Sequence, residues 1–330
     1  MNRPLNHTLA LLLTAVLALS LLAGCGSQNP ASDAPDSGTL NIVTTIFPVY
    51  DWTRQILGDQ ADHASLSMLL DTGVDLHSFQ PTAADIMRIS TCDLFVYVGG
   101  ESDFWVDDAL QEAANKDMIV INLMDELGDR AKEEELVEGM QAEEEEEENE
   151  PPEYDEHIWL SLKNAEYLCG VIETALEEID PDHAEEYRTN ADAYIEELLA
   201  LDEGFENAVS GGVTDTLLFG DRFPFRYMTD DYGLNYYAAF VGCSAETEAS
   251  FETILFLANK ADELGLTHIM TIEGADHRIA ETIIQNTQTK DQRILALDSM
   301  QSVTAKDVEA GVTYLSLMEN NLDVLSQALR

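Results

Sequence analysis

The sequence predicts an α/β protein made of two βα lobes with mainly parallel sheets, joined by one long rigid helix. Three observations carry this expectation. Strand-length apolar runs alternate with helical ones from residue 40 to residue 123, and a second alternation begins at residue 216. Between them a single helical pattern runs unbroken over residues 181–209. With 330 residues and 45% hydrophobic content, the chain has material for two ordinary cores.

The amino end reads as a processing signal. Arg3 opens a short positive region, and residues 9–22 form an apolar run of signal-peptide length. Leu22-Ala23-Gly24-Cys25 resembles the lipobox of bacterial lipoproteins, which implies cleavage before Cys25 and a lipid attached to it. Residues 1–25 are therefore expected to be a signal ending at the lipidated cysteine, with residues 26–39, rich in Gly, Ser, Pro and Asp, as a flexible tether. That places the protein on the outer face of a cell membrane.

Each later element follows from local pattern. Residues 40–47 (LNIVTTIF) have the β-branched character of a buried strand, and Pro48 is suited to open a helix reaching residue 57. Strands are expected at 65–70, 93–98 and 118–123, with helices at 81–90 and 104–115. Residues 165–176 are helical by spacing, and Asp180-Pro181 ends that helix before the long one begins. Apolar residues at Tyr187, Ala191, Tyr194, Leu198, Leu201 and Phe205 give the long helix one buried face, and Gly211-Gly212 stops it. The second lobe then offers strands at 216–219, 236–240, 268–272 and 294–297, and helices at 224–232, 251–264, 276–286 and 306–329. This divides the chain into a first lobe over 40–180 with an acidic loop at 129–156, a linking helix over 181–210, and a second lobe over 211–330.

The formal net charge of -48, with only 16 Lys and Arg, excludes nucleic acid as a partner, since phosphate binding needs clustered basic residues. Cations are the natural small partners, although most surface acids merely keep a protein soluble. Cys92 and Cys169 lie in apolar periodic segments and read as core. Cys243, in VGCSAE, falls in a loop and is either reactive or simply buried.

In open α/β sheets ligands bind beyond the carboxyl ends of strands, so the residues there carry the chemistry. His77 follows the second strand in GVDLHSFQPT. A lone loop histidine is ordinarily a solvated or hydrogen-bonded side chain. A second one, His157, stands at the end of the acidic run, just before Ile158, Trp159 and Leu160, an apolar wall able to shield a metal from water. Two histidines on separate loops of one lobe can converge.

The segments GVDLHSFQPTAAD and DEHIWLSLKNA resemble the G-x-(D/E)-P-H-x-(Y/F)-x-P-(S/T) and D-P-H-x-W-(L/M)-(D/S)-P segments of the cluster A-I solute-binding proteins of zinc and manganese ABC importers. The resemblance extends over residues 40–330. It implies that His77 and His157 are metal ligands from the first lobe, and that Asp298 in Leu297-Asp298-Ser299-Met300 is a ligand from the second. On the residues alone Asp298 is equally a turn or cap acid.

The sequence departs from the family at the remaining ligand. Phe225, Tyr227 and Tyr232-Gly233-Leu234 fix a register that puts Arg222 where a His or Glu belongs. Arginine stays protonated and has no lone pair to offer. Asp221 can supply the carboxylate, water can complete a three-ligand site, or Arg222 can pair with Asp298 or Glu273 in an altered pocket. Glu273 matches a family acid near the cleft, with an outer or interlobe role equally suited to it. His277 is an auxiliary candidate, and His268, at a strand start, reads as structural.

Two imidazoles with one or two carboxylates suit Zn²⁺, with Mn²⁺ as the alternative. Zinc members carry a charged loop before the second ligand, the place that the glutamate run 133–156 occupies here. The run reads as an unfolded, cation-collecting loop or a solvated insertion. The resemblance implies an ABC permease as partner, a membrane attachment through lipid, and a monomer. A secreted metallohydrolase using the same histidines and a surface adhesin are the rival expectations. The hydrolase is disfavoured because no HExxH helix or GxSxG elbow is present.

Overall fold

A computed structural model describes residues 39–141, 153–244 and 248–330. The signal, Cys25 and the tether lie outside them, as does the densest part of the glutamate run. The compact unit Leu40–Arg330 holds two four-stranded parallel sheets. The first orders its strands β2-β1-β3-β4, with β1 Asn41–Thr44, β2 Ser65–Met68, β3 Leu94–Tyr97 and β4 Ile119–Asn122. The second orders them β6-β5-β7-β8, with β5 Thr216–Phe223, β6 Asn235–Val241, β7 His268–Ile272 and β8 Arg293–Leu297. Both sheets share one topology, and residues that follow the carboxyl ends of β2, β6, β7 and β8 line one cleft.

Helices cover the sheets as the alternation requires. The first lobe has α1 Phe47–Leu57, α2 Ala83–Thr91, α3 Trp105–Gln111, α4 Leu123–Leu127 and α5 Leu162–Ile179. Then α6, Ala184–Ser210, runs 27 residues, roughly 40 Å at ~1.5 Å per residue. It links the lobes, packing on α1 and α5 of the first and on the carboxyl-terminal helix of the second. The second lobe adds α7 Arg226–Tyr232, α8 Phe251–Leu264, α9 Arg278–Asn286, α10 Ala305–Glu309 and α11 Tyr314–Ala328.

Two expectations are corrected. The single helix expected over 306–329 is two helices, because Gly311 takes φ 94° and Thr313 caps a new start with its side chain accepting from Ser316 N–H. The acidic segment is not wholly unfolded. Residues 131–141 form a strap on the second lobe: Lys132 pairs with Asp230, Glu135 with Arg226 at 3.1 Å, and Gln141 N–H donates to the Ala239 carbonyl at 2.9 Å. Charge composition alone does not reveal this, because the strap's polar backbone is satisfied by partners distant in sequence.

One apolar core runs through both lobes, from Ile42 to Leu329, and a smaller cluster around Leu218, Phe240 and Ile269 lies behind the second sheet. The seam is also hydrogen-bonded. Trp159, 1% exposed, donates its indole N–H to the Ser299 carbonyl at 2.9 Å, and Tyr314 donates its hydroxyl to the Trp159 carbonyl at 2.7 Å. Tyr314 N–H donates to Asp51 in α1 at 2.9 Å.

Candidate metal centre

Both histidines are placed by the same local device. In Asp75-Leu76-His77 and in Asp155-Glu156-His157, the aspartate two residues back accepts the histidine's backbone N–H, at 3.0 and 2.8 Å respectively. These turns bring His77 Nε2 and His157 Nε2 to 3.3 Å from each other. Two nitrogens bonded tetrahedrally to one ion at ~2.05 Å sit roughly 3.3 Å apart.

The outer ring nitrogens are held by carboxylates. His157 Nδ1 lies 2.9 Å from Asp155 Oδ1, and His77 Nδ1 lies 2.9 Å from Ser102 Oγ and 3.4 Å from Glu156 Oε2. A carboxylate beside Nδ1 places the ring proton there and leaves the lone pair on Nε2. Asp155 thus orients His157 directly, while Ser102, whose N–H donates to Glu156 Oε1 at 2.8 Å, holds His77, so that the two Nε2 atoms face each other. His157 is fully buried; burial holds its imidazole below its ordinary value against the pull of Asp155, which favours the neutral form. Burial opposes charge on Glu156, but the His77 and Ser102 hydrogen bonds outweigh it and hold the carboxyl below its usual range. Gly100, at φ 81°, makes room for Glu156, since a Cβ there would meet Glu156 Oε1 at 2.3 Å.

His77 lines a cleft of about 610 Å³ between the lobes, together with Asp75, Asp221, Arg222, Glu273, His277 and Gln301. Among the described residues, the one group of three metal-ligating side chains with ligand atoms all within 4.8 Å of each other is His77, His157 and Cys243. Asp221, Glu273 and Asp298 join no such group and accept backbone N–H groups instead. Asp221 falls in an irregularity of β5, where the register against β6 shifts between Phe219 and Arg222. Its carboxylate accepts from Arg222 N–H at 2.9 Å and from Ile272 N–H at 3.3 Å, tying β5 to β7. Glu273 accepts from Ser299 N–H and Ser299 Oγ at 2.7 and 2.8 Å, and Asp298 accepts from Met300 N–H at 2.8 Å. Burial raises the carboxyl values of all three.

Arg222 pairs with Asp75, across the cleft, rather than with Asp298 or Glu273. The extra residue in β5 re-aims its side chain toward the first lobe. Burial resists charge on Asp75, yet the Arg222 guanidinium, its hydrogen bond and His77 together hold the carboxyl below its ordinary range. His268 begins β7 and meets Thr267 Oγ1 at 3.0 Å; His277 caps α9 at φ 59°.

Gln301 is a site residue that the sequence reading did not single out. It is 9% exposed, with Nε2 3.2 Å from His157 Nε2 and Oε1 buried without a partner. Exchanging the amide's oxygen and nitrogen turns an acceptor toward the gap. The left-handed Met300, φ 63°, swings Gln301 to this position, a turn that no residue type in LDSMQS announces.

Asp103, 3% exposed behind the Gly99-Gly100 turn, has its carboxyl pushed up to about 7 by burial, with the Gly99 N–H opposing and Glu156 adding to the rise. A group that binds its proton more tightly when folded stabilises the fold fully below its unfolded value of ~3.9 and loses that contribution as pH rises through about 7. This contribution to the metal-free protein's stability should therefore fall away between about pH 4 and about pH 7, and D103N should flatten that fall in urea denaturation.

The chain is 32% identical over 323 residues to the zinc-binding lipoprotein AdcA of Streptococcus pneumoniae, covering 97% of this chain and 60% of that protein. This chain thus spans about three-fifths of that relative's length. It is 28% identical to the high-affinity zinc uptake system protein ZnuA of Bacillus subtilis, over 94% of both chains. The crystal structure of the Zn(II)-bound ZnuA-like domain of the pneumococcal AdcA superposes with a TM-score of 0.69 at 30% identity, covering 88% of this chain and 99% of that domain. Residues 42–328 match the family described as "ZnuA: Zinc-uptake complex component A periplasmic", and the chain belongs to that family.

Proposed function

We propose that this protein captures Zn²⁺ between its two lobes and presents it to the permease of an ABC importer, held at the outer face of the membrane by a lipid on Cys25. The observation that carries this is the pair of histidine Nε2 atoms, 3.3 Å apart and each with a carboxylate near its outer nitrogen, at the wall of the cleft that His77 lines. The zinc-binding names of its relatives support the choice of ion over Mn²⁺. Residues 1–25 act as the signal, 26–39 as the tether, and the lobes on either side of α6 as a monomeric clamp. The bound ion is cargo, and no reaction is assigned to the site.

Around the gap stand three acids, Asp75, Asp155 and Glu156, and one guanidinium, Arg222. This balance favours a divalent cation, and Asp75 offsets the arginine's charge by pairing with it. Titration calorimetry with Zn²⁺ is expected to give one site per chain with sub-micromolar affinity. Micromolar or weaker binding would sink the reading.

A further inference from the structure

The geometry points to Cys243 as the third protein ligand of this site: its thiolate takes the place that Arg222 has vacated and makes the cargo site His₂Cys, selective for a thiophilic cation. The inference rests on the zinc reading above and deepens it by naming the donor set and hence the specificity.

Three observations converge on it. Cys243 stands two residues beyond the end of β6, at the carboxyl edge of the second sheet, where the cleft opens. Its sulfur and the two imidazoles are the three ligand atoms within 4.8 Å of each other, whereas Asp221, Glu273 and Asp298 join no such group among the described residues. A tetrahedral site with Zn–N at ~2.05 Å and Zn–S at ~2.3 Å needs a sulfur–nitrogen separation of roughly 3.6 Å, so the sulfur must close on the Nε2 pair as the ion binds. The preceding residue is a glycine for a reason: a Cβ on Gly242 would meet the Phe223 carbonyl at 2.9 Å and His157 Nδ1 at 3.1 Å. That close passage runs the loop along the Nδ1 edge of His157, with Cys243 as the next residue.

The loop is also held from behind. Cys243 N–H donates to Glu134 Oε1 at 3.0 Å, so the strap that opens the acidic run anchors the cysteine's backbone. The strap in turn pairs with the segment leading to His157, through Glu134 N–H to the Glu153 carbonyl at 2.8 Å and Asp155 N–H to the Lys132 carbonyl at 2.9 Å. One short piece of chain therefore positions a ligand candidate from each lobe. This assigns the described start of the acidic run a structural task at the site.

Coordination replaces the S–H bond by a sulfur–metal bond, and the thiol proton leaves to solvent. Gln301, with its amide beside His157 Nε2, is placed to give a neutral oxygen as the fourth donor. Two imidazoles, a thiolate and an amide suit Zn²⁺ and Cd²⁺ and disfavour Mn²⁺, which prefers carboxylate and water oxygens at higher coordination number.

Zinc-edge X-ray absorption on the full chain loaded with one equivalent of Zn²⁺ tests this. One sulfur at ~2.3 Å from zinc is expected in the wild type and none in C243S, with Zn²⁺ affinity in C243S reduced by about 10- to 100-fold and the preference for Zn²⁺ over Mn²⁺ narrowed at least tenfold. A wild-type spectrum with only nitrogen and oxygen neighbours overturns the cysteine assignment and leaves the zinc reading intact, whatever the folding of C243S. Failure of the wild type to bind zinc overturns both.

Discussion

Replacing His157 with alanine lowers Zn²⁺ affinity by at least ~100-fold, beyond the 10- to 100-fold that loss of a partner behind a metal ligand ordinarily costs. His77→Ala does the same. Each removes one of two facing lone pairs, and in each case the remaining imidazole keeps its carboxylate but has nothing opposite it. Deleting residues 143–148, the core of the glutamate run, should change affinity by less than about tenfold, because those acids act only through local concentration and field. Calorimetry on the three variants decides between them. A loop deletion more damaging than either histidine change would mean that the cleft is not the binding site.

The second large effect is on stability. Trp159→Ala removes a 1%-exposed indole from the seam between the lobes, at a cost of ~3–5 kcal/mol for the cavity. It also strips the Ser299 carbonyl of its donor, a further ~1 kcal/mol. Trp159→Phe keeps most of the packing and loses the N–H, so it should retain more than half of that stability. The Trp159 ring lies 5.2 Å from that of His157, and its loss should loosen the metal site as well. Urea denaturation of metal-free protein measures this. A loss under about 1 kcal/mol would show that the seam contributes little.

Much of the fold was legible because it is local. Each strand of the two sheets begins within one residue of its expected start, as the β-branched runs dictated, and α6 follows the spacing of Tyr187, Ala191, Tyr194 and Leu198. The interruption at Gly311 was harder to read, since the apolar pattern continues through it and only the left-handed backbone ends the helix. The histidines stood out because each sits beside a strand end or an apolar wall, and the structure brings them together. Other features of the site depend on contacts that no local pattern encodes. Arg222 reaches Asp75 across 147 positions of sequence, Gln301 reaches His157 across 144, and the Glu134 carboxylate meets Cys243 across 109. A bulge in β5 and a left-handed Met300 aim two of those side chains. One signal was present: VGC places a soft ligand directly behind a glycine at a strand's carboxyl end, a position as telling for Cys243 as it was for His77.

The central claim is that a zinc ion sits between His77 Nε2 and His157 Nε2. An anomalous difference map collected at the zinc edge from crystals of the zinc-loaded protein tests it most directly. The account predicts one strong peak within ~2.1 Å of both nitrogens, with Asp155 and Glu156 still on the outer nitrogens. A peak among the acids of residues 133–156, or none in the cleft, would contradict it.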